Sequence, residues 1–497
     1  MFKNFTGYKL LEKLQKNKSH KRERKLPLNA IKLLFITAIA LVVALVPSES
    51  FGIEGLTEIH QRIIALFVFA ALMWLTETMP SWVTSMIVVT VMLFTVSTSA
   101  FSFLRPENGV GLVPFKSIFA CFSNPTIMLF IGGFVLAIGL TKVKLDVALA
   151  RVLLKPFGTR SEIVLLGFIL VTAIFSAFVS NTATAAMMLA FLTPVLRSLP
   201  ADGKGRIALA LAIPVGANLG GMITPIGTPP NMIALDYLAS QGMGISFVDW
   251  TIKMAPFVIL LLVLAWMLLR ILFPFKQKNI KIEIEGTIRW DYKTWSVVVA
   301  FALTIFMWMF GTDMWGIDTN VVAMIPIAIF CATGILTRRD LEEINWSVLW
   351  MVAGGFALGV ALNYKDASSV SLSSLIVNTV PFDNFSPLVV MILAGIICFG
   401  FSNFISHSAA TSLLVPVLGV VAGGLGASLD NYGGPQAMLV GIAIASSVSM
   451  ILPISTPPNA IAHSTGFIEQ KDMMKVGIII GIMGLVLGYA MLIFIGF

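Results

Sequence analysis

Apolar residues fill most of this chain in long blocks, and polar residues are confined to short intervals between the blocks. A membrane-spanning helix needs ~20 mostly apolar residues, because each residue adds ~1.5 Å of rise across a ~30 Å hydrocarbon layer. Windows that approach this length lie at 33–47, 62–76, 82–97, 254–273, 294–310, 320–336 and 474–496. The pattern predicts an all-α polytopic membrane protein.

Composition agrees with a membrane protein and argues against a set of soluble domains. Only 12% of the 497 residues are charged and 57% are hydrophobic, whereas a soluble globular protein carries about 25% charge. The three cysteines, Cys121, Cys331 and Cys398, lie in apolar surroundings without a pair spacing. We interpret them as small core residues and not as a disulfide or a metal site.

Excess positive charge is concentrated at the start of the chain. Residues 1–32 contain ten Lys and Arg but two acidic residues, and the remaining 23 basic and 23 acidic residues balance. A basic segment before the first apolar block is typical of a cytoplasmic N-terminus. We therefore predict a cytoplasmic segment at 1–32, a first transmembrane helix at 33–59, and no nucleic-acid partner.

The chain contains two similar halves. IMLFIGGFVLAIGL at 127–140 matches LWMVAGGFALGVAL at 349–362, FSAFVSNTATA at 175–185 matches FSNFISHSAAT at 401–411, and PIGTPPN at 225–231 matches PISTPPN at 453–459. Three matches in the same order indicate a duplicated domain. We predict repeat 1 at 60–274, a charged cytoplasmic linker at 275–293 and repeat 2 at 294–497.

The flanking charges predict that the two repeats are inverted relative to each other. The first Ser-Asn-Thr segment has basic residues at both ends (Lys155, Arg160, Arg197, Lys204 and Arg206), which indicates two cytoplasmic ends. The second matching segment lies in a stretch without Lys or Arg between Lys365 and Lys471, which indicates two external ends. We predict re-entrant hairpins at about 163–196 and 387–427, and an external C-terminus.

The repeated Pro-Pro-Asn motif predicts a broken helix in each half. Proline lacks an N–H group and disfavours helical geometry in the residue before it, so GTPPN and STPPN should each divide a spanning segment. We place the broken helices at about 206–243 and 437–468. Unpaired backbone inside a bilayer must line a protein-walled or wet cavity, where the N-terminus of a half-helix suits an anion. A kink that serves packing alone is the competing interpretation.

The hairpin tips carry short polar side chains that suit the same role. Hydroxyl and amide groups can donate to a carboxylate without a fixed charge. The oxygen atoms of Ser176, Ser180, Asn181 and Gly227 form a possible Na⁺ site in the first half. For Ser-Asn-Thr alone, a helix cap is the simpler interpretation.

Together, the paired Ser-Asn-Thr and Thr-Pro-Pro motifs in two repeats resemble the divalent anion/sodium symporter family over roughly residues 60–497. The resemblance implies a homodimer with about 11 transmembrane helices, two re-entrant hairpins, an elevator mechanism and substrates such as succinate, malate, fumarate, 2-oxoglutarate or citrate. It implies a substrate site formed by Ser180, Asn181, Thr182, Thr228, Pro229, Ser406, His407, Ser408, Thr456 and Pro457. Asn231 and Asn459, at the starts of the half-helices, are weaker candidates.

One residue departs from the family pattern. His407 stands where the second motif of the symporters carries asparagine, and an imidazole nitrogen is a poor ligand for hard Na⁺. A protonated His407 would act as a built-in cation that remains after substrate leaves, and an empty carrier would bury it at a cost of several kcal/mol. This favours dicarboxylate exchange. Na⁺ symport through the intact first motif, H⁺ coupling through His407, and a purely structural histidine remain alternatives.

Other function classes lack their usual sequence features. HExxH, GxSxG and paired intramembrane aspartates are absent, so we predict no enzyme activity and no cofactor beyond a possible coupling Na⁺. A TVGYG-like channel filter is also absent, and a receptor would not need two matching breaks. An inorganic anion such as sulfate is the alternative substrate. A bacterial inner membrane is the expected location.

Overall fold

The structure is a computed structural model that describes residues 26–107, 109–200, 203–280, 289–366 and 369–497. Within these ranges the chain is helical, and extended pairing is limited to isolated bridges. Nine helices in the described ranges are long and apolar enough to cross a membrane. The all-α membrane class is therefore confirmed. Most of the predicted basic segment, residues 1–25, lies outside the described residues, as do residues 281–288 of the linker.

The first half has eleven helices among its described residues. They are α1 Leu26–Leu45, α2 Glu58–Thr76, α3 Ser81–Thr95, α4 Phe115–Ala120, α5 Pro125–Lys142, α6 Leu145–Leu154, α7 Ser161–Phe178, α8 Asn181–Ser198, α9 Gly205–Gly220, α10 Pro229–Ser240 and α11 Phe247–Leu272. Short 3₁₀ turns at Ser48–Phe51, Ser102–Leu104, Cys121–Ser123 and Lys155–Phe157 connect some of them.

The second half has eleven helices in the described ranges. They are α12 Tyr292–Trp315, α13 Thr319–Val322, α14 Met324–Ala332, α15 Arg338–Glu342, α16 Trp346–Asn363, α17 Leu372–Thr379, α18 Pro387–Phe404, α19 His407–Leu425, α20 Gly434–Ser447, α21 Pro457–Ser464 and α22 Gln470–Phe494. The 3₁₀ turns in this half are Phe382–Asn384 and Gly426–Tyr432.

Each half contains a tight helical hairpin. Only Val179 and Ser180 separate α7 from α8, and only Ile405 and Ser406 separate α18 from α19. The helices α7, α8 and α18 have 18 residues and α19 has 19, which corresponds to ~27 Å of rise and falls slightly short of a hydrocarbon core. The serine at each tip caps the second arm, because its hydroxyl accepts a bond from the first turn.

Each half also contains a helix that stops and restarts. The chain leaves helical geometry after Gly220 and restarts at Pro229, and it does so again between Ser447 and Pro457. The prolines are the first residues of the new helices, where a missing N–H has no helical partner to lose and the fixed φ angle suits the first turn. The interruption therefore lies in the residues before the prolines.

Two buried asparagines bond to backbone carbonyl groups within these interruptions. Asn231 Nδ2 donates to the carbonyl oxygens of Gly221 and Thr224 at 3.1 and 2.9 Å. Asn459 Nδ2 donates to the carbonyl oxygens of Met450 and Leu452 at 2.9 and 3.1 Å. Unpaired carbonyls are costly away from water, so these amides stabilise the broken conformation. The structure thus gives both asparagines a supporting role behind the cavity.

The two halves pack crosswise around the interruptions. The half-helix α10 of the first half packs against α19 and α20 of the second, and α21 of the second half packs against α8 and α9 of the first. Outside this centre, α5 packs against α14 and α16 packs against α3. This arrangement brings both hairpin tips and both interruptions to one place.

Small residues allow α7 and α9 to approach closely. A Cβ atom at Gly220 would lie 2.3 Å from the Cα of Ala173, and one at Gly216 would lie 2.6 Å from the carbonyl oxygen of Ile169. Backbone contact of this kind is typical of helices that associate within a membrane. The first arm of the hairpin is therefore held directly against the helix that leads to the interruption.

One polar contact joins the helices outside the centre to the half-helix α10. Thr126 Oγ1, in the first turn of α5, donates to Asp236 Oδ1 at 2.7 Å. This bond connects the start of α5 directly to the half-helix.

Candidate functional site

Four helices begin at the wall of one central cavity of about 270 Å³. The helices are α8, α10, α19 and α21, and their N-cap residues Ser180, Thr228, Ser406 and Thr456 all line the cavity. The lining includes every substrate residue expected from the sequence: Ser180, Asn181, Thr182, Thr228, Pro229, Ser406, His407, Ser408, Thr456 and Pro457. Residues from both halves, more than 200 positions apart in the sequence, thus meet at one site.

The electrostatics of this cavity favour an anion. Each helix N-terminus carries about half a positive charge, and here four of them lie at the same space. The first turns of α8 and α19 also present backbone N–H groups, whereas α10 and α21 each begin with two prolines, which have none. The described residues that line the cavity include no Lys, Arg, Asp or Glu, and His407 is the ionisable side chain among them. A guest anion would therefore be bound by peptide dipoles and neutral donors.

The serines at the two tips are arranged alike. Ser180 Oγ accepts from the Ala183 N–H at 3.3 Å, and Ser406 Oγ accepts from the Ala409 N–H at 3.3 Å. Because each hydroxyl accepts from its own helix, its hydrogen is left to donate elsewhere. Both tips can thus offer a hydroxyl donor to an anion.

Behind the first tip lies a group of oxygen atoms. Ser176 Oγ is 2.6 Å from Asn181 Oδ1 and 2.7 Å from the carbonyl oxygen of Ala217. A Cβ atom at Gly221 would lie 2.6 Å from Asn181 Oδ1, so this glycine makes room for the carboxamide. Hydroxyl, amide and carbonyl oxygens suit a hard cation, so this donor set fits Na⁺. Of the four expected cation residues, Ser180, Asn181 and Gly227 line the cavity, and Ser176 is buried behind it.

The second tip presents a nitrogen donor in the equivalent place. His407 Nε2 is hydrogen-bonded to the carbonyl oxygen of Ser449. Since a carbonyl can only accept, Nε2 must carry the hydrogen. The backbone oxygen of His407 in turn accepts from Thr411 Oγ1 at 2.9 Å and from Ser446 Oγ at 3.0 Å. The ring is 8% exposed and lines the cavity.

The cavity is also lined by residues that the motifs did not reveal. Aromatic side chains come from α3, α5 and α7, and polar ones from the start of α16 and from α9: Trp82, Phe130, Phe134, Phe178, Asn345, Ser347 and Asn218. The aromatic residues lie in ordinary apolar blocks and give no local signal. Asn218 does give one, because it is a lone carboxamide inside the apolar helix α9 and is 2% exposed.

Residues 28–496 match the family described as the sodium:sulfate symporter transmembrane region. The chain belongs to this family. The resemblance noted in the sequence motifs is thereby confirmed, and the chain is an integral membrane transporter and not an enzyme.

Individual proteins extend this comparison. A transporter of Haemophilus influenzae is 30% identical over 436 residues, which cover 84% of this chain and 88% of that protein. The sodium-dependent dicarboxylate transporter SdcS of Staphylococcus saprophyticus is 27% identical over 469 residues, covering 87% and 85%. The YdaH transporter of Alcanivorax borkumensis, described as having an unusual topology, superposes with a TM-score of 0.55 at 13% identity over 88% of this chain and 99% of that one. The last similarity concerns the fold alone.

Proposed function

We propose that this protein is a secondary-active transporter of C4 and C5 dicarboxylates such as succinate, fumarate, malate and 2-oxoglutarate. The convergence of four helix N-termini on one cavity is the observation that carries the proposal, because each half of the chain contributes one hairpin tip and one half-helix to it. A small dianion has one carboxylate for each half. The cavity volume of about 270 Å³ suits a guest of this size. The relative from Staphylococcus saprophyticus, named as a dicarboxylate transporter, supports the same substrate class.

We further propose that transport occurs by exchange. In the second half, the N–H of His407 occupies the Ser449 carbonyl, and a ring nitrogen replaces the amide oxygen that Asn181 provides in the first half. This tip therefore offers fewer oxygen ligands for a cation, and a second proton, on Nδ1, would give the ring a donor and a positive charge for the anion. When the ring is protonated, its charge stays on the empty carrier and disfavours return without a guest. A loaded carrier is closer to neutral and moves more readily.

Two observations favour Na⁺ symport as the second candidate. The first tip keeps its oxygen set of Ser176, Asn181 and the Ala217 carbonyl, and the relative named above is called sodium-dependent. Proton coupling through His407 is a variant of this candidate. Sulfate, which appears in the description of the family, is the alternative substrate.

The proposed mechanism moves the binding elements past a fixed frame. The moving part consists of α7–α11 and α18–α22, and the frame consists of α2–α5 and α12–α16. The cavity is lined from both parts, by Thr228 and Thr456 on one side and by Trp82 and Phe134 on the other. We propose that this elevator movement occurs in a homodimer of two inverted repeats in a bacterial inner membrane, with a cytoplasmic N-terminus and an external C-terminus.

Counterflow in proteoliposomes tests the transport mode. Vesicles preloaded with unlabelled succinate should take up radiolabelled succinate without Na⁺, and empty vesicles should not. Unlabelled sulfate and citrate in the external medium test the substrate class by competition. Concentrative uptake into empty vesicles, driven by a Na⁺ gradient alone, would refute exchange and establish the symporter. Competition by sulfate but not by fumarate or malate would refute the dicarboxylate assignment.

A further inference from the structure

A single carboxamide from the first half reaches the binding residues of the second. Asn218, near the end of α9, directs its Nδ2 atom to Thr456 Oγ1 at 3.3 Å and to Asn459 Oδ1 at 3.0 Å. All three residues are at least 95% buried. Asn218 lies outside the tips and the proline motifs, and Thr456 is the N-cap residue of α21.

The orientation of this carboxamide follows from its neighbours. Asn459 Nδ2 donates to the Met450 and Leu452 carbonyl oxygens, so the Oδ1 atom of Asn459 must face the other way, toward Asn218. An acceptor needs a donor, and therefore Asn218 must present its NH₂ group to Asn459 and Thr456. Each of the two hydrogens of that group then has one acceptor.

This chain of bonds determines what the Thr456 hydroxyl can do. Its oxygen accepts from the Asn459 backbone N–H at 3.2 Å and from Asn218 Nδ2 at 3.3 Å. A hydroxyl has two acceptor positions and one hydrogen. With both acceptor positions filled, the remaining O–H can only donate, and within the described chain no protein acceptor is bonded to it. Thr456 lines the cavity, so this hydrogen is available to an acceptor that enters the cavity.

The first half lacks this arrangement. The equivalent of Asn218, 228 positions later, is Ser446, whose hydroxyl donates to the His407 carbonyl oxygen at 3.0 Å. The Thr228 side chain forms no cap bond, and Asn231 Oδ1 is buried without a partner among the described residues. The Thr228 hydroxyl is therefore free to donate or to accept.

We propose that Asn218 is a positioning residue that makes the Thr456 hydroxyl a dedicated hydrogen-bond donor to one carboxylate of the bound dianion. The proposal rests on the proposed function, because it takes a divalent anion as the guest. A fixed donor requires no reorientation when the anion arrives, so the cost of ordering the site has been met during folding. The second half thus selects a deprotonated carboxylate.

A double-mutant cycle tests this link through the equilibrium dissociation constant of succinate in detergent. Asn218→Ala and Thr456→Val should each weaken binding about tenfold, as expected for loss of a hydrogen bond to a charged group. The double variant should bind no more weakly than Thr456→Val alone, because Asn218 acts through that hydroxyl. Thr228→Val is the matched control background: there, Asn218→Ala should still add its own factor of about ten.

If Asn218→Ala weakens binding by a further factor of about ten in the Thr456→Val background, the proposal is overturned. If Asn218→Ala does not fold, as judged by its thermal transition, Thr456→Ser gives an independent test. The serine hydroxyl can still accept from the Asn459 backbone N–H and from Asn218 Nδ2, so the affinity of this variant for succinate should stay within about twofold of the unmodified protein. A loss as large as that of Thr456→Val would overturn the proposal. Failure of the unmodified protein to bind succinate would instead refute the proposed function, and the same cycle would then be run with sulfate.

Discussion

At the scale of single residues, the two tips differ most at one pair of positions. Asn181 and His407 occupy equivalent places, yet one presents a carboxamide oxygen to Ser176 and the other presents N–H to a carbonyl. The first tip thus has a carboxamide oxygen that can coordinate a cation, and the second tip has an N–H group that cannot. The helices around the two positions are otherwise alike. Substitutions at these two positions can therefore test the cation dependence of transport without changing the surrounding helices.

Replacing His407 with asparagine should make succinate transport respond to Na⁺. The substitution restores a carboxamide oxygen and frees the Ser449 carbonyl, so a second oxygen cluster becomes available. We expect a several-fold stimulation by Na⁺ in proteoliposomes, together with uptake into vesicles that contain no exchange substrate. The reciprocal change, Asn181→His, is the control and should abolish any Na⁺ response of the unmodified protein. A His407→Asn protein with unchanged ion dependence would assign His407 a structural role.

At the scale of elements, the interrupted helices depend on side chains for their stability. Asn231→Leu retains approximate size but removes the donor to the Gly221 and Thr224 carbonyl oxygens, of which Thr224 keeps a bond from the Gly227 N–H. Loss of these bonds, with the Gly221 oxygen left unsatisfied, should lower the free energy of unfolding by about 1–3 kcal/mol. Thermal unfolding in detergent measures this loss. Asn384→Ala, at an exposed position in a 3₁₀ turn, should leave the transition unchanged; an equal shift in both variants would contradict the argument.

An ion pair fixes the end of α5 to α15. Lys142 Nζ lies 2.5 Å from Asp340 Oδ2. Burial alone would raise the pKa of the Asp340 carboxyl, but hydrogen bonds from Lys142 and Thr337 outweigh burial and hold that pKa below its ordinary value of 3.8. A lowered pKa in the folded state adds stability above the pKa of the unfolded state, and this stability is lost as the pH falls through the lowered value.

Lys142→Met should therefore lower stability at neutral pH by about 1 kcal/mol, as expected for a partly exposed pair. The difference from the unmodified protein should shrink as the pH falls below about 4, where Asp340 becomes protonated in both proteins. Unfolding midpoints measured across pH 3–7 check this trend. A destabilisation that stays constant over the range would indicate lost packing of the lysine stem instead.

The sequence allowed some elements of the site to be predicted and concealed others. Pro-Pro chemistry located the interruptions, and comparison of the halves singled out His407, because both signals are local in the chain. Trp82, Phe134 and Asn345 reach the cavity from helices far away in sequence, and only the packing of the two halves brings them there. Asn218 was visible as a polar residue in an apolar helix, but its target, Thr456, depends on the crosswise packing.

At the scale of the whole molecule, the proposed movement must break the contact between α5 and α10. Thr126→Val removes the hydroxyl that donates to Asp236 and keeps the shape of the side chain. Loss of this hydrogen bond should shift the resting equilibrium away from this conformation by about fivefold. Labelling of a cysteine introduced at the cavity-lining Ser347 measures the shift. Thr90→Val, at an exposed threonine bonded within its own helix, is the control; identical labelling of all three proteins would contradict the prediction.

The proposed inversion of the two repeats predicts that the ends of the two hairpins lie on opposite faces of the membrane. In a background without Cys121, Cys331 and Cys398, cysteines at the exposed positions Ser198 and Ser428 should be labelled from different sides of the membrane. An impermeant maleimide applied to intact cells should modify position 428 and reach position 198 only after permeabilisation. Modification of both positions from one side would refute the inversion.

The close seam between α7 and α9 has a consequence for how a guest escapes. Because Gly216 and Gly220 place backbone against backbone, the hairpin arm cannot swing outward like a flap while its neighbour stays still. In the proposed elevator movement, the arm and its neighbour would therefore travel as one unit, and the guest would be exposed only when that unit has carried it past the frame.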